Sequence, residues 1–107
     1  MWLNEGFTVF EERKVSAMLH GEDFSKVNAY LGNISMVADM EFYGFDKNYS
    51  SLYPLIGRNS PDGSFSEIPY EKGFQLLYYI ETIIGEHYMQ NLLQFHIKRY
   101  PQRSIVY

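Results

Sequence analysis

Apolar side chains recur every three or four residues at the start of the chain, which is the spacing of one face of a helix. The series begins with Leu3, Phe7 and Phe10 and stops at Gly21, a residue type that commonly ends helices. The pattern therefore predicts a first helix over residues 2–20.

A second apolar series follows directly after Gly21. Its members are again separated by three or four positions: Val27, Leu31, Ile34 and Val37. We expect a second helix over residues 22–40, in which Gly32 is tolerated at some cost in helix propensity.

The middle of the chain, residues 41–68, shows neither a helical nor an alternating pattern. Turn-forming residues dominate it, most densely in the segment Asn59-Ser60-Pro61-Asp62-Gly63. Irregular connections of this length are uncommon in compact domains and are often functional. We therefore expect a long loop between the second helix and the third.

Helical periodicity resumes at Pro69, whose missing N–H group suits the first turn of a helix. One apolar face then runs to Gly85, and a further helix is predicted from Glu86 to Tyr100, where Pro101 stops it. The predicted fold is all-α, with about four helices and the long irregular loop between the second and the third.

Composition narrows the classes of function. The 107 residues form one domain at most; they carry a formal charge of −4 and no basic stripe, so nucleic acid is not expected as a partner. We interpret the isolated basic pairs Arg13-Lys14 and Lys98-Arg99 as parts of solvated faces. No run of about 20 apolar residues indicates a membrane span, and the absence of cysteine fits a cytoplasmic protein.

Two glutamates of the first predicted helix, Glu5 and Glu12, are candidates for chemistry. They stand two helical turns apart, so their side chains point within about 20° of each other. A solvated acidic stripe is the ordinary explanation of such a pair. The neighbours of Glu5 are largely apolar, however, and a carboxylate in apolar surroundings usually pairs with a cation or a metal.

The three histidines do not complete a metal site by their spacing. His20, His87 and His96 form no pair at i, i+4, whereas catalytic zinc takes three protein ligands and leaves one position open. We therefore expect ordinary surface or core histidines. A metal bound to Glu5 would need ligands from elsewhere.

Tyr70 stands at the start of the third predicted helix, within Pro69-Tyr70-Glu71-Lys72-Gly73. A phenol in this place can donate a hydrogen bond to the oxyanion that forms when water attacks a carbonyl. The alternative is that Tyr70, one of ten tyrosines, only anchors the helix start. Glu71 favours the helix dipole from the first turn and needs no other role.

Two segments together resemble a known enzyme family. Trp2-Leu3-Asn4-Glu5-Gly6-Phe7-Thr8 is similar to the W-L-N-E-G-[FW]-[TA] segment of the gluzincin zinc aminopeptidases. Pro69-Tyr70-Glu71-Lys72-Gly73 resembles the P-Y-E-K-G segment of the branch that contains leukotriene A(4) hydrolase and aminopeptidase B. The resemblance extends over the whole chain. It implies the helical lobe of a thermolysin-like catalytic domain, without its H-E-x-x-H helix.

The resemblance also implies roles for individual residues. Glu5 would be the third ligand of one zinc ion, and Tyr70 would be the phenol that stabilises the tetrahedral intermediate. Asp62 matches an aspartate of the substrate pocket in leukotriene A(4) hydrolase. Glu12 matches a glutamate of the zinc-ligand helix, for which we expect a part in orienting a ligand. The implied partners are a peptide substrate and the remainder of the catalytic domain, with no nucleic acid and no membrane.

The chain also departs from the family pattern. Because two zinc ligands and the general base belong to the H-E-x-x-H helix, we expect the chain by itself to be inactive. Phe65 stands where leukotriene A(4) hydrolase has a pocket tyrosine, so peptide hydrolysis is a better expectation than epoxide hydrolysis. The alternative from a different class is a non-catalytic helical module that binds a protein partner.

Overall fold

The computed structural model describes residues 2–55 and 66–103, and most of these residues are helical. The helices are α1 (Trp2–His20), α2 (Glu22–Tyr43), α3 (Ile68–Ile84) and α4 (Glu86–Arg99), with a short 3-10 helix at Asn48–Ser50. Neither described range contains a strand, which confirms the all-α prediction. None of the described helices is long and apolar enough to cross a lipid bilayer.

The predicted end of the second helix, at Met40, is three residues too early. The α2 helix continues to Tyr43 and ends at Gly44, whose φ is 94° and whose N–H donates to the Met40 carbonyl oxygen at 2.8 Å. Glycine adopts a positive φ without strain and is therefore a frequent helix terminator. The other predicted helix boundaries agree with the observed ones to within one residue.

The chain divides into two compact units, Met1–Leu77 and Tyr78–Tyr107, and α3 runs from the first into the second. Most of the buried side chains described belong to the first unit: Phe10, Arg13, Met36, Ser50, Ile68, Glu71 and Leu77. In the second unit, Met89 of α4 is buried. The first unit also contains the predicted site residues Glu5, Glu12 and Tyr70.

Within the first unit, α1 and α3 approach each other at two glycines. A Cβ atom placed on Gly6 would lie 2.8 Å from the Gly73 Cα, and one placed on Gly73 would lie 3.0 Å from the Trp2 carbonyl oxygen. Only residues without a side chain permit this approach of two backbones. The contact brings the residues beside Gly6 close to the first turns of α3.

The start of α3 is anchored on α2. Asp39 Oδ2 accepts a hydrogen bond from the Glu67 backbone N–H at 2.7 Å, and Ser66 Oγ accepts one from the Ile68 N–H at 3.3 Å. The first N–H groups of a helix have no partner inside it, so these acceptors satisfy them. Because Tyr70 lies in the same turn, the anchor also fixes the backbone that carries its phenol.

Candidate active site

Glu5 of α1 and Tyr70 of α3 meet beside the glycine contact. Both residues are half-buried, and the Tyr70 phenol interacts with the Glu5 carboxylate. Burial raises the pKa of the phenol above its ordinary value, and the charges of Glu5 and Glu67 raise the pKa further. The phenol therefore keeps its proton at neutral pH.

Of the other two predicted site residues, Glu12 is among the described residues and Asp62 is not. Glu12 is exposed on α1, and seven residues of helix set its Cα about 10 Å from that of Glu5. Asp62 lies outside the described residues, as does Phe65. The roles implied for Glu12 and Asp62 therefore stay predictions.

A buried ion pair joins α1 to α3 one residue after Tyr70. Arg13 is 5% exposed and Glu71 is 4% exposed. The guanidinium makes two parallel hydrogen bonds to the carboxylate, Nη1 to Oε2 at 2.8 Å and Nη2 to Oε1 at 2.7 Å. The interpretation of Arg13 as part of a solvated face was therefore wrong. From the sequence, the interaction of Glu71 with the helix dipole was expected to be its only role. In the structure Glu71 also accepts two parallel hydrogen bonds from Arg13, which is a strong form of charge-assisted hydrogen bonding.

The α2 helix and a ring of α3 complete the surroundings of Arg13. Asn28 Oδ1 accepts from Arg13 Nε at 3.0 Å, and the Asn28 carbonyl oxygen accepts from Nη2 at 3.3 Å. The guanidinium lies over the Phe74 ring, with Cζ 4.2 Å from the ring centroid, which is a cation–π arrangement. The guanidinium of α1 is therefore bound by groups of both α2 and α3.

Gly32 of α2 provides the space for this ion pair. A Cβ atom at position 32 would collide with the Glu71 carboxylate and with the Arg13 guanidinium. A glycine inside a helix costs about 1 kcal/mol relative to alanine, and the room that it leaves for the pair offsets this cost. The glycine was the one sequence signal for the pair, since an isolated glycine in a helical pattern often has a packing reason.

The residues of α3 that follow Glu71 are fixed in turn. Lys72 Nζ donates to the Ser50 carbonyl oxygen at 2.8 Å, and Gln75 Nε2 donates to Asn33 Oδ1 at 2.8 Å. Ser50 is buried, and its Oγ donates to the Gly44 carbonyl oxygen at 2.7 Å. The beginning of α3 is thus held at several consecutive positions.

A metal ion would find one suitable ligand at this site, the Glu5 carboxylate. Glu5 is half-buried and lies beside the Tyr70 phenol. Residues 2–55 and 66–103 contain no group of three or more histidine, aspartate or glutamate side chains that could hold a metal ion. The chemistry of the Glu5 carboxylate fits that of a single zinc ligand.

A carboxylate beside a protonated phenol, on an all-α framework, agrees with the resemblance of the two sequence segments to zinc aminopeptidases. The family model described as the Peptidase family M1 domain matches residues 1–107. The chain therefore belongs to peptidase family M1. Peptidases of this family are zinc metalloenzymes.

Proteins with similar sequences carry the names of aminopeptidases and of a related hydrolase. Leucine aminopeptidase 2 of Aspergillus clavatus is 36% identical over 105 residues, which are 97% of this chain and 17% of that protein. A leukotriene A-4 hydrolase homolog of Botryotinia fuckeliana is 33% identical over 104 residues, 97% of this chain and 16% of that protein. The chain thus spans about a sixth of the length of the curated relatives it matches.

Solved structures of one enzyme are similar to this chain. Yeast LTA4 hydrolase in complex with bestatin matches with a TM-score of 0.73 and 31% identity, over 94% of this chain and 19% of that protein. Native leukotriene A4 hydrolase from Saccharomyces cerevisiae matches with the same TM-score of 0.73 and the same identity of 31%. The family resemblance predicted from the two sequence segments is confirmed.

Proposed function

We propose that the chain supplies one zinc ligand and one catalytic phenol to a zinc-dependent aminopeptidase that removes N-terminal residues from peptides. Glu5 is the proposed third ligand of a single zinc ion, and Tyr70 is the proposed donor to the oxyanion. The proximity of these two side chains carries the proposal, because a metal ligand and an oxyanion donor must face the same reacting carbonyl.

Zinc, when bound, polarises the scissile carbonyl and lowers the pKa of the water it binds to about 7. The part of Glu5 is to bind the ion as a charged carboxylate. Tyr70 keeps its proton at neutral pH, as a phenol with an ordinary pKa of about 10 does. The phenol can then donate a hydrogen bond to the carbonyl oxygen as negative charge develops on it.

Other parts of the proposal come from the family resemblance. Asp62 would contact the substrate, and Glu12 would help to orient a zinc ligand. The proposed partners are a peptide substrate and the remainder of the catalytic domain, and the proposed compartment is the cytoplasm. The relative named leucine aminopeptidase 2 supports a peptide substrate.

Hydrolysis of a leukotriene-type epoxide is the second candidate function. The names of the Botryotinia fuckeliana relative and of the matching solved structures favour it. Phe65 disfavours it, because the hydroxyl of the pocket tyrosine in leukotriene A(4) hydrolase is lost at this position. Peptide hydrolysis therefore remains the leading proposal.

The substitution Tyr70→Phe in the complete enzyme tests the role of the phenol. Removing one oxyanion donor is expected to lower kcat for an aminoacyl-4-nitroanilide by about 100- to 1,000-fold, while zinc content measured by mass spectrometry stays unchanged. Tyr79→Phe is the matched control, because Tyr79 is 63% exposed on the same helix. Full turnover by Tyr70→Phe would refute the proposed role.

A further inference from the structure

The Arg13–Glu71 ion pair connects the two helices that carry the proposed site. Arg13 lies on α1 with Glu5, and Glu71 follows Tyr70 directly in α3. We propose that this ion pair is a positioning device that fixes the Tyr70 phenol relative to Glu5. The inference rests on the proposed function of Tyr70 and adds two positioning residues to it.

Stability alone is a weak reason for a buried ion pair. Desolvation of the two charges cancels much of their attraction, and apolar residues of similar volume often stabilise a fold equally well or better. The pair instead fixes the orientation of the two side chains, because two parallel hydrogen bonds of 2.8 Å and 2.7 Å hold the guanidinium and the carboxylate in one plane. A slide of α3 along α1 by one residue, about 1.5 Å, would break this geometry.

The surroundings of the pair restrict both side chains to this geometry. The Phe74 ring packs against the guanidinium at 4.2 Å, and Asn28 accepts from its Nε at 3.0 Å. The Gly32 backbone is so close that even a methyl group would not fit. Neither Arg13 nor Glu71 can therefore change rotamer without disturbing α2 as well as α1 and α3.

The pair reaches Tyr70 through the backbone. Glu71 directly follows Tyr70 in the sequence, so a peptide bond joins them. The Glu71 side chain is buried and accepts two hydrogen bonds from Arg13, whereas Tyr70 is only half-buried. A movement of the Glu71 backbone therefore carries the phenol with it. A displacement of about 1 Å at a catalytic group can cost about 100-fold in rate.

The test replaces both charges at once in the complete enzyme. The double variant Arg13→Met/Glu71→Leu leaves no buried charge without a partner, so melting temperature and zinc content should stay near those of the wild type. We expect kcat to fall about 10- to 100-fold, because the Tyr70 phenol is no longer aligned with Glu5. KM should change less than about threefold, because substrate binding is retained. A kcat within about twofold of the wild type would overturn the positioning role.

Coupling to Tyr70 separates positioning from a general structural effect. If the pair acts through the phenol, the double variant should lower kcat less than about twofold further in a Tyr70→Phe background. The same fold-loss in both backgrounds would overturn the inference. A Tyr70→Phe enzyme with full activity would instead refute the proposed function, so the two failures are distinguishable.

Two further variants complete the experiment. Arg13→Lys keeps the positive charge but cannot form the two parallel hydrogen bonds to Glu71. It should lower kcat less than the double variant does, with the same dependence on Tyr70. If the double variant does not fold, Arg13→Lys provides the test by itself. Asp46→Asn/Lys47→Met is the control. It removes an exposed ion pair of the same unit, in which Lys47 Nζ lies 3.7 Å from Asp46 Oδ2, and it should leave kcat unchanged. An Arg13→Lys enzyme with wild-type kcat would count against the proposal.

Discussion

Gly6 of α1 and Gly73 of α3 touch backbone to backbone, and a Cβ atom on Gly6 would come within 2.8 Å of the Gly73 Cα. The two glycines flank the proposed site, since Gly6 follows Glu5 and Gly73 lies one helical turn after Tyr70. Their contact therefore sets the separation of the two helices where the carboxylate meets the phenol.

Gly6→Ala in the complete enzyme should weaken both the fold and the site. The added methyl group must push α1 away from α3, and overpacking of this kind costs about 1–3 kcal/mol in the free energy of unfolding. Thermal or denaturant unfolding measures this loss, and kcat should fall with it because Glu5 and Tyr70 move apart.

Glu11→Ala is the control for Gly6→Ala, because Glu11 is exposed on the same helix. It should change the free energy of unfolding by less than about 0.5 kcal/mol. If Gly6→Ala proved as harmless as Glu11→Ala, the close approach of the two helices would be contradicted.

Gly32→Ala should destabilise the protein although alanine is the better helix former. The new methyl group would collide with the buried Arg13–Glu71 pair, and we expect a loss of about 1–3 kcal/mol in the free energy of unfolding. Ala38→Gly, at an exposed position of the same helix, should lower the free energy of unfolding by about 1 kcal/mol, because glycine has a lower helix propensity than alanine. A stabilising Gly32→Ala would contradict the described packing of α2 on the pair.

The helices could be predicted from the sequence because the information for them is local. Apolar spacing defined the faces, and Gly21 and Gly85, with φ values of 94° and 90°, marked the helix junctions. The extension of α2 to Tyr43 was missed, although its stop signal, Gly44, stood in the sequence. Helix ends depend on such single residues and on capping bonds, which periodicity does not register.

The contacts of the site are non-local, and the sequence predicted them only in part. The family resemblance brought Glu5 and Tyr70 together, because both belong to motifs of one enzyme site. Arg13 and Glu71 are 58 positions apart, and each had an adequate local explanation. Which charges become buried depends on how the helices pack, and periodicity within one helix does not contain that information.

The most direct test of the proposed site measures how much zinc the complete enzyme retains when Glu5 is changed to Gln. After dialysis against a weak chelator, Glu5→Gln should lose most of its zinc, whereas Tyr70→Phe should keep it and lose turnover instead. Glu12→Gln should weaken zinc affinity by no more than about 10- to 100-fold, as expected for a residue that orients a ligand. A Glu5→Gln enzyme that retained one zinc ion per molecule, with affinity unchanged, would contradict the assignment of Glu5 as a ligand.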